Sequence, residues 1–236
     1  MRRQESRVDT VYAWVLETVQ DQRTAGQAML TEAGGWLLAV QTAEVTVSRD
    51  ELGRPVVRAA AGQVWVSLSY GREVLAVAAS LAGPVGIDVE GPRPLRVLEL
   101  ARRWFDPAEA SWLDGRPAAD QLNDFLLLWT AKEALGKALG SGLRGAGLQR
   151  RLALPPVADG QLRPAAGGLN LAQSRLAGAR VLAIATGPGH RPAGQVVVFS
   201  GAHELLAARS ALRSRTSLPV VVRGISSSTT KARGRL

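Results

Sequence analysis

The stretch Phe125 to Leu139, FLLLWTAKEALGKAL, constrains the fold more than any other. Leu128, Leu135 and Leu139, with Phe125 and Trp129 around them, recur at i, i+3, i+4 and i+7, the period of an amphipathic helix. The stretch contains no proline, and its interior is mostly Leu, Ala, Lys and Glu, which are good helix formers. Lys132, Glu133 and Lys137 interrupt an otherwise apolar segment. Glu133 and Lys137 stand four residues apart and so share a helix face. Read alone, they are a surface ion pair on a core helix.

A second stretch changes that reading. Gly86-Ile87-Asp88-Val89-Glu90 follows an apolar, β-prone run. Acids two residues apart on a strand point to the same face, where they repel unless a cation stands between them. Hard oxygen ligands of this kind suit Mg²⁺. Glu133 would supply a third carboxylate and Lys137 an anion-binding charge.

Gly-Ile-Asp-Val-Glu followed, about forty residues on, by Trp129-Thr130-Ala131-Lys132-Glu133-Ala134-Leu135-Gly136-Lys137 resembles the paired motifs of Sfp-type 4′-phosphopantetheinyl transferases. The resemblance implies an α+β fold of two related halves, each a helix on a small antiparallel sheet, with the active site in the cleft between them. It implies Mg²⁺-dependent transfer of the phosphopantetheine arm of coenzyme A to a serine of an apo acyl or peptidyl carrier protein, releasing 3′,5′-ADP. By the same resemblance Asp88, Glu90 and Glu133 hold the metal and Glu133 is the general base. Lys137 holds a phosphate oxygen, assisted by Lys132.

Further coenzyme A contacts follow from the resemblance. Arg54, in Gly53-Arg54-Pro55, matches the family's Gly-Lys/Arg-Pro element, and Arg23 matches a family arginine. Ser69-Tyr70 stands where the family has Ser-His. Tyrosine donates one hydrogen bond but carries no charge at pH 7, so the phosphate contact there weakens. Trp104, Phe105, Trp112 and Leu113 are candidates for the apolar surface that recognises the carrier. His190 and His203 lack a partner motif and read as surface residues.

The chain has 236 residues, of which 46% are hydrophobic, enough for one or two domains with a sizeable core. It has no cysteine, which excludes disulfides and thiolate metal sites. No apolar run is long enough for a membrane span and no secretory signal is evident, so a cytoplasmic monomer without membrane contact is expected. The net charge of +9 is unevenly placed. Residues 1–100 carry 10 basic and 12 acidic side chains, residues 101–207 carry 12 and 8, and residues 208–236 carry 7 and none. The excess sits in the tail, which argues against nucleic acid as a partner of the body.

The expected organisation is an N-terminal half over 1–100, a C-terminal half over 101–207 and a disordered basic tail over 208–236. Strands are expected at 8–16, 64–69, 74–81, 85–89, 149–154, 168–176, 181–186 and 195–199. Helices are expected at 24–40, 95–104, from Asp106 onward, and 120–139, with a helix remnant after Phe199. Two other functions fit the same residues: a catalytically weak coenzyme A-binding homologue, and a Mg²⁺-dependent phosphodiesterase.

Overall fold

The computed structural model describes residues 10–17, 21–143, 147–188, 195–200 and 221–224, the last two segments as backbone alone. His190, His203, any helix after Ser200 and the tail apart from residues 221–224 lie outside the described residues.

The first sheet is built on β1 (Thr10–Glu17), β2 (Thr46–Arg49), β3 (Pro55–Ala59), β4 (Gly62–Gly71) and β5 (Val74–Ser80), in the antiparallel order β1-β5-β4-β3-β2. Two parallel strands, β10 (Gln195–Ser200) and β11 (Val221–Gly224), extend it beyond β1. The expected tail thus contains a strand at the sheet edge. The second sheet has the order β6-β9-β8-β7, with β6 (Val85–Glu90), β7 (Arg163–Ala165), β8 (Leu169–Arg175) and β9 (Val181–Thr186). Among the described residues the α-helices are α1 (Gln22–Leu38), α2 (Val97–Trp104), α3 (Pro107–Asp114) and α4 (Ala118–Leu139).

The layers run helix, sheet, sheet, helix. Helix α1 covers one face of the first sheet, where Met29, Leu30 and Leu37 pack on Tyr12, Trp14, Leu75 and Val77. The opposite face, through Val11, Ala13, Ala76 and Ala78, packs on Val85, Ile87, Val89, Leu182 and Ile184 of the second sheet. Helix α4 covers that sheet's outer face through Ala134, Leu135 and Ala138. Each sheet thus carries a helix on its outer face, as the resemblance implies, with the first sheet antiparallel from β1 to β2 and the second antiparallel throughout.

A boundary at residue 100 does not separate the sheets. Strand β6 lies before it but pairs with β9. All of β6 except Glu90 is buried, so it needs cover on both faces: the first sheet against its odd residues, α4 against its even ones. The expected strand at 149–154 is absent, and that segment is irregular. Its backbone is held by side chains instead: Leu152 N–H donates to Glu109 Oε1 at 2.8 Å. Strands β2, β3 and β7 are short additions to the expected set.

Candidate active site

The site forms where α4 lies across β6. Gly86, Asp88 and Glu90 alternate with core residues and face the helix. At Gly86 the backbones touch: a Cβ there would stand 1.9 Å from the Ala134 carbonyl oxygen and 2.6 Å from the Ala138 nitrogen. Only glycine permits this approach. It sets Lys137, one turn beyond Ala134, beside Asp88, and Lys137 Nζ donates to Asp88 Oδ1 at 2.8 Å and to the Ile87 carbonyl at 2.9 Å. The surface pair of Glu133 with Lys137 that the helix read alone suggests gives way to an ion pair between α4 and β6. Four-residue spacing allows the former, but the buried carboxylate is the better partner.

Strand β4 supports Asp88 from the other side. Ser69 Oγ donates to Asp88 Oδ1 at 2.8 Å and accepts the Val89 N–H at 3.2 Å, while Ser67 Oγ accepts the Ile87 N–H at 3.2 Å. The two hydroxyls satisfy the free edge of β6 without a ladder. Ser69 is thus an orienting residue for Asp88.

Asp88 is 6% exposed, and its Oδ2 is buried with no hydrogen-bond partner. Such an atom is costly unless a cation or donor meets it. Nearby, burial and the Asp88 charge push the Glu133 carboxyl up from 4.5 to about 7, with Lys137 opposing and Glu90 adding to the shift. Two carboxylates that disfavour each other's charge, one with an unpartnered oxygen, fit a divalent cation. Glu90 is paired with Arg93 at the far end of β6. Among the described residues no group of three His, Cys, Asp or Glu side chains converges into a preformed cage, so Asp88 and Glu133 are the stronger candidates.

Beside this pair opens a cleft of about 320 Å³, lined by Arg49, Arg54, Ser67, Tyr70, Lys137 and Ser141 among others. Its floor comes from the end of α4. Gly140 takes a left-handed conformation (φ 73°), and the Gly142 N–H returns to the Gly136 carbonyl at 3.0 Å. Its roof is the turn between β2 and β3. There Asp50 accepts the Leu52 and Arg54 N–H groups at 2.9 Å, and Arg54 Nε at 2.6 Å. Arg54 thus enters the cleft with a carboxylate partner. Arg49 donates to the Gly53 carbonyl at 2.7 Å and has no carboxylate partner among the described residues. The sequence reading missed Arg49 and Ser141, since neither lies in a motif; their position emerges only once the two turns face each other.

Tyr70 is 42% exposed and lines the cleft, and its hydroxyl abuts Gly26 of α1, where a Cβ would stand 2.7 Å from it. Arg23 is exposed three residues earlier on the same helix and is not among the residues lining the cleft.

Lys132 is a correction. It is fully buried, paired with Glu109 of α3 at 2.6 Å, and donates to the Arg150 carbonyl. Burial pulls its ammonium down and the Glu109 carboxylate opposes that. One residue along a helix turns a side chain by about 100°, so Lys132 points away from the face that carries Glu133. It cannot reach a ligand in the cleft. Phe105 and Leu113 are likewise core residues, packed against Phe125 to Leu128. Trp104 stays exposed under the Arg103 guanidinium, and Trp112 is half-buried against Arg116.

Residues 84–175 match the sequence profile of the 4′-phosphopantetheinyl transferase superfamily. This matched region contains both motifs and every α4 and β6 residue described above. The chain is 33% identical over 146 residues to the 4′-phosphopantetheinyl transferase HetI of Nostoc sp., covering 60% of this chain and 61% of HetI. It is 32% identical over 100 residues to the 4′-phosphopantetheinyl transferase Sfp of Bacillus subtilis, covering 42% and 43%. With the 4′-phosphopantetheinyl transferase AcpT of Salmonella typhimurium it shares 34% over 91 residues, covering 38% and 47%. The matched segments span about three fifths of HetI and less than half of the other two. No helix among the described residues is long and apolar enough to cross a membrane.

Proposed function

We propose that this chain is a 4′-phosphopantetheinyl transferase that takes the phosphopantetheine arm from coenzyme A and places it on a serine of an apo carrier protein. The observation that carries the reading is the buried, unpartnered Oδ2 of Asp88, near Glu133 and held through Lys137 to a neighbouring cleft that Arg49 and Arg54 also line. A carboxylate pair suits a hard cation, and adjacent cations suit a diphosphate. The names of the curated relatives point the same way.

Asp88 and Glu133 would hold Mg²⁺. Bound there, Mg²⁺ would neutralise diphosphate charge and stabilise the leaving group. The chain's own groups do the rest. Ser69 and the β6 edge fix Asp88. Lys137, Arg54 and Arg49 hold phosphate oxygens, and Tyr70 offers its hydroxyl. Glu133 takes the proton from the carrier serine, directly or through a water; a carboxylate with a raised proton affinity is a competent base near neutral pH. The serine oxygen forms a bond to the phosphorus of the phosphopantetheine arm as the bond to the second phosphate breaks, and 3′,5′-ADP leaves. The proposed setting is the cytoplasm, acting as a monomer.

The test is transfer of a fluorescent pantetheine arm from a coenzyme A conjugate to an apo carrier domain in Mg²⁺, with EDTA as control. Labelled carrier that disappears in EDTA supports the reading. Binding of the conjugate without transfer would favour the weak, binding-only homologue, and hydrolysis of a simple phosphodiester would favour the phosphodiesterase.

A further inference from the structure

We infer that Lys137 is the resident cation of Asp88 in the metal-free chain, and that metal and ammonium are alternative occupants of this carboxylate. The inference rests on reading Asp88 as a metal ligand.

The ammonium of Lys137 sits on Asp88 Oδ1 and the Ile87 carbonyl, at 2.8 and 2.9 Å. Asp88 is nearly buried, so without a cation its charge would be uncompensated. The lysine supplies that charge, and the second oxygen, Oδ2, is buried without a hydrogen-bond partner. A divalent ion approaching Oδ2 meets a positive charge already lodged on the neighbouring oxygen, and like charges at such separations repel strongly in a partly buried site. Lys137 has somewhere to go. Its side chain is 26% exposed and lines the cleft with Arg49 and Arg54. An ammonium on a four-carbon stem can re-aim by rotamer changes, where a planar guanidinium fork could not do so as readily. A diphosphate in the cleft offers it a new anionic partner and frees Asp88. The lysine therefore weakens metal binding to the empty chain and relinquishes the site when the coenzyme arrives. A lysine serving only as a fixed phosphate contact would have no need of the Asp88 carboxylate.

The experiment titrates Mn²⁺ alone against the chain, without coenzyme A, and reads free Mn²⁺ by electron paramagnetic resonance. Wild type, Lys137→Met, Lys137→Gln and Asp88→Asn are compared, with a melting curve for each. Removing the ammonium should tighten Mn²⁺ binding by about tenfold or more in both lysine variants, the scale expected of losing one close like charge. Lys137→Gln keeps a donor for the Ile87 carbonyl, and decides alone if the Met variant does not fold. Unchanged or weaker binding in a folded lysine variant, with binding still lost in Asp88→Asn, would overturn the inference and leave the metal assignment standing. Mn²⁺ binding indifferent to Asp88→Asn would overturn the metal assignment and this inference together.

Discussion

Gly86 and Ala134 are in backbone contact: the space a Cβ would need at Gly86 is filled by the Ala134 carbonyl, 1.9 Å away. This contact sets the height of α4 over β6, and with it the placement of Glu133 and Lys137 relative to Asp88. Gly86→Ala must lift the helix. Overpacking of this kind costs about 1–3 kcal/mol or more. Urea denaturation should show that loss, and the folded fraction should show a clear drop in turnover because the lysine no longer reaches Asp88. Wild-type stability and rate would mean that the helix position is not set here.

Lys132 belongs to the frame and not to the ligand site. Breaking a buried ion pair by removing one partner costs about 3–5 kcal/mol, while replacing both partners is far milder. Lys132→Met should therefore be severely destabilised, and Lys132→Met with Glu109→Leu should recover much of the loss. The affinity of the recovered double variant for coenzyme A should match wild type. A selective loss of affinity with intact stability would return Lys132 to the ligand site.

The Glu133 shift has a stability signature. Its folded value, about 7, lies above the ordinary 4.5. The folded chain thus holds a proton that the unfolded chain releases between those values. This contribution is complete below 4.5 and is lost as pH rises through 7. In EDTA, wild type should lose stability relative to Glu133→Gln across that window. Adding Mg²⁺, which favours the ionised carboxylate, should flatten the loss. Parallel pH profiles for the two proteins would contradict the shift.

Tyr70 and Arg49 share the cleft, and only the arginine is charged. A histidine at 70 gains from a phosphate dianion, and a charged hydrogen bond exceeds a neutral one by about 1–1.5 kcal/mol. Tyr70→His should tighten coenzyme A binding by up to about tenfold, more at pH 6 than at pH 8. Binding of 3′-dephospho-coenzyme A should barely change. Arg49→Ala should weaken binding, since its guanidinium has no carboxylate partner among the described residues. Equal effects of Tyr70→His on both ligands would show that position 70 does not face the 3′-phosphate.

Much of this was legible in the chain. The alternation in Val85 to Glu90 placed the acids on one face, and the period of Phe125 to Leu139 gave α4 almost to its boundaries. Helix α3 also starts at Asp106 as expected, and the structure closes it with a capping box between Asp106 and Glu109. Long-range pairing was not legible. Nothing local says that β6 joins β9, or that the Lys137 partner is Asp88 instead of the nearer Glu133. Lys132 was misread because a motif names residues without saying which face of a helix each one occupies. Segment 149–154 misled because its backbone is held by side chains, the Arg150 carbonyl by Lys132 and the Leu152 N–H by Glu109, not by a strand partner.

The central claim is that Asp88 and Glu133 serve phosphopantetheinyl transfer. The most direct measurement is the intact mass of an apo carrier protein after incubation with coenzyme A, Mg²⁺ and the chain or its Asp88→Asn variant. The account predicts a gain of one phosphopantetheine with wild type and none with a folded Asp88→Asn. An unmodified carrier with wild type, or equal modification by both proteins, would contradict it.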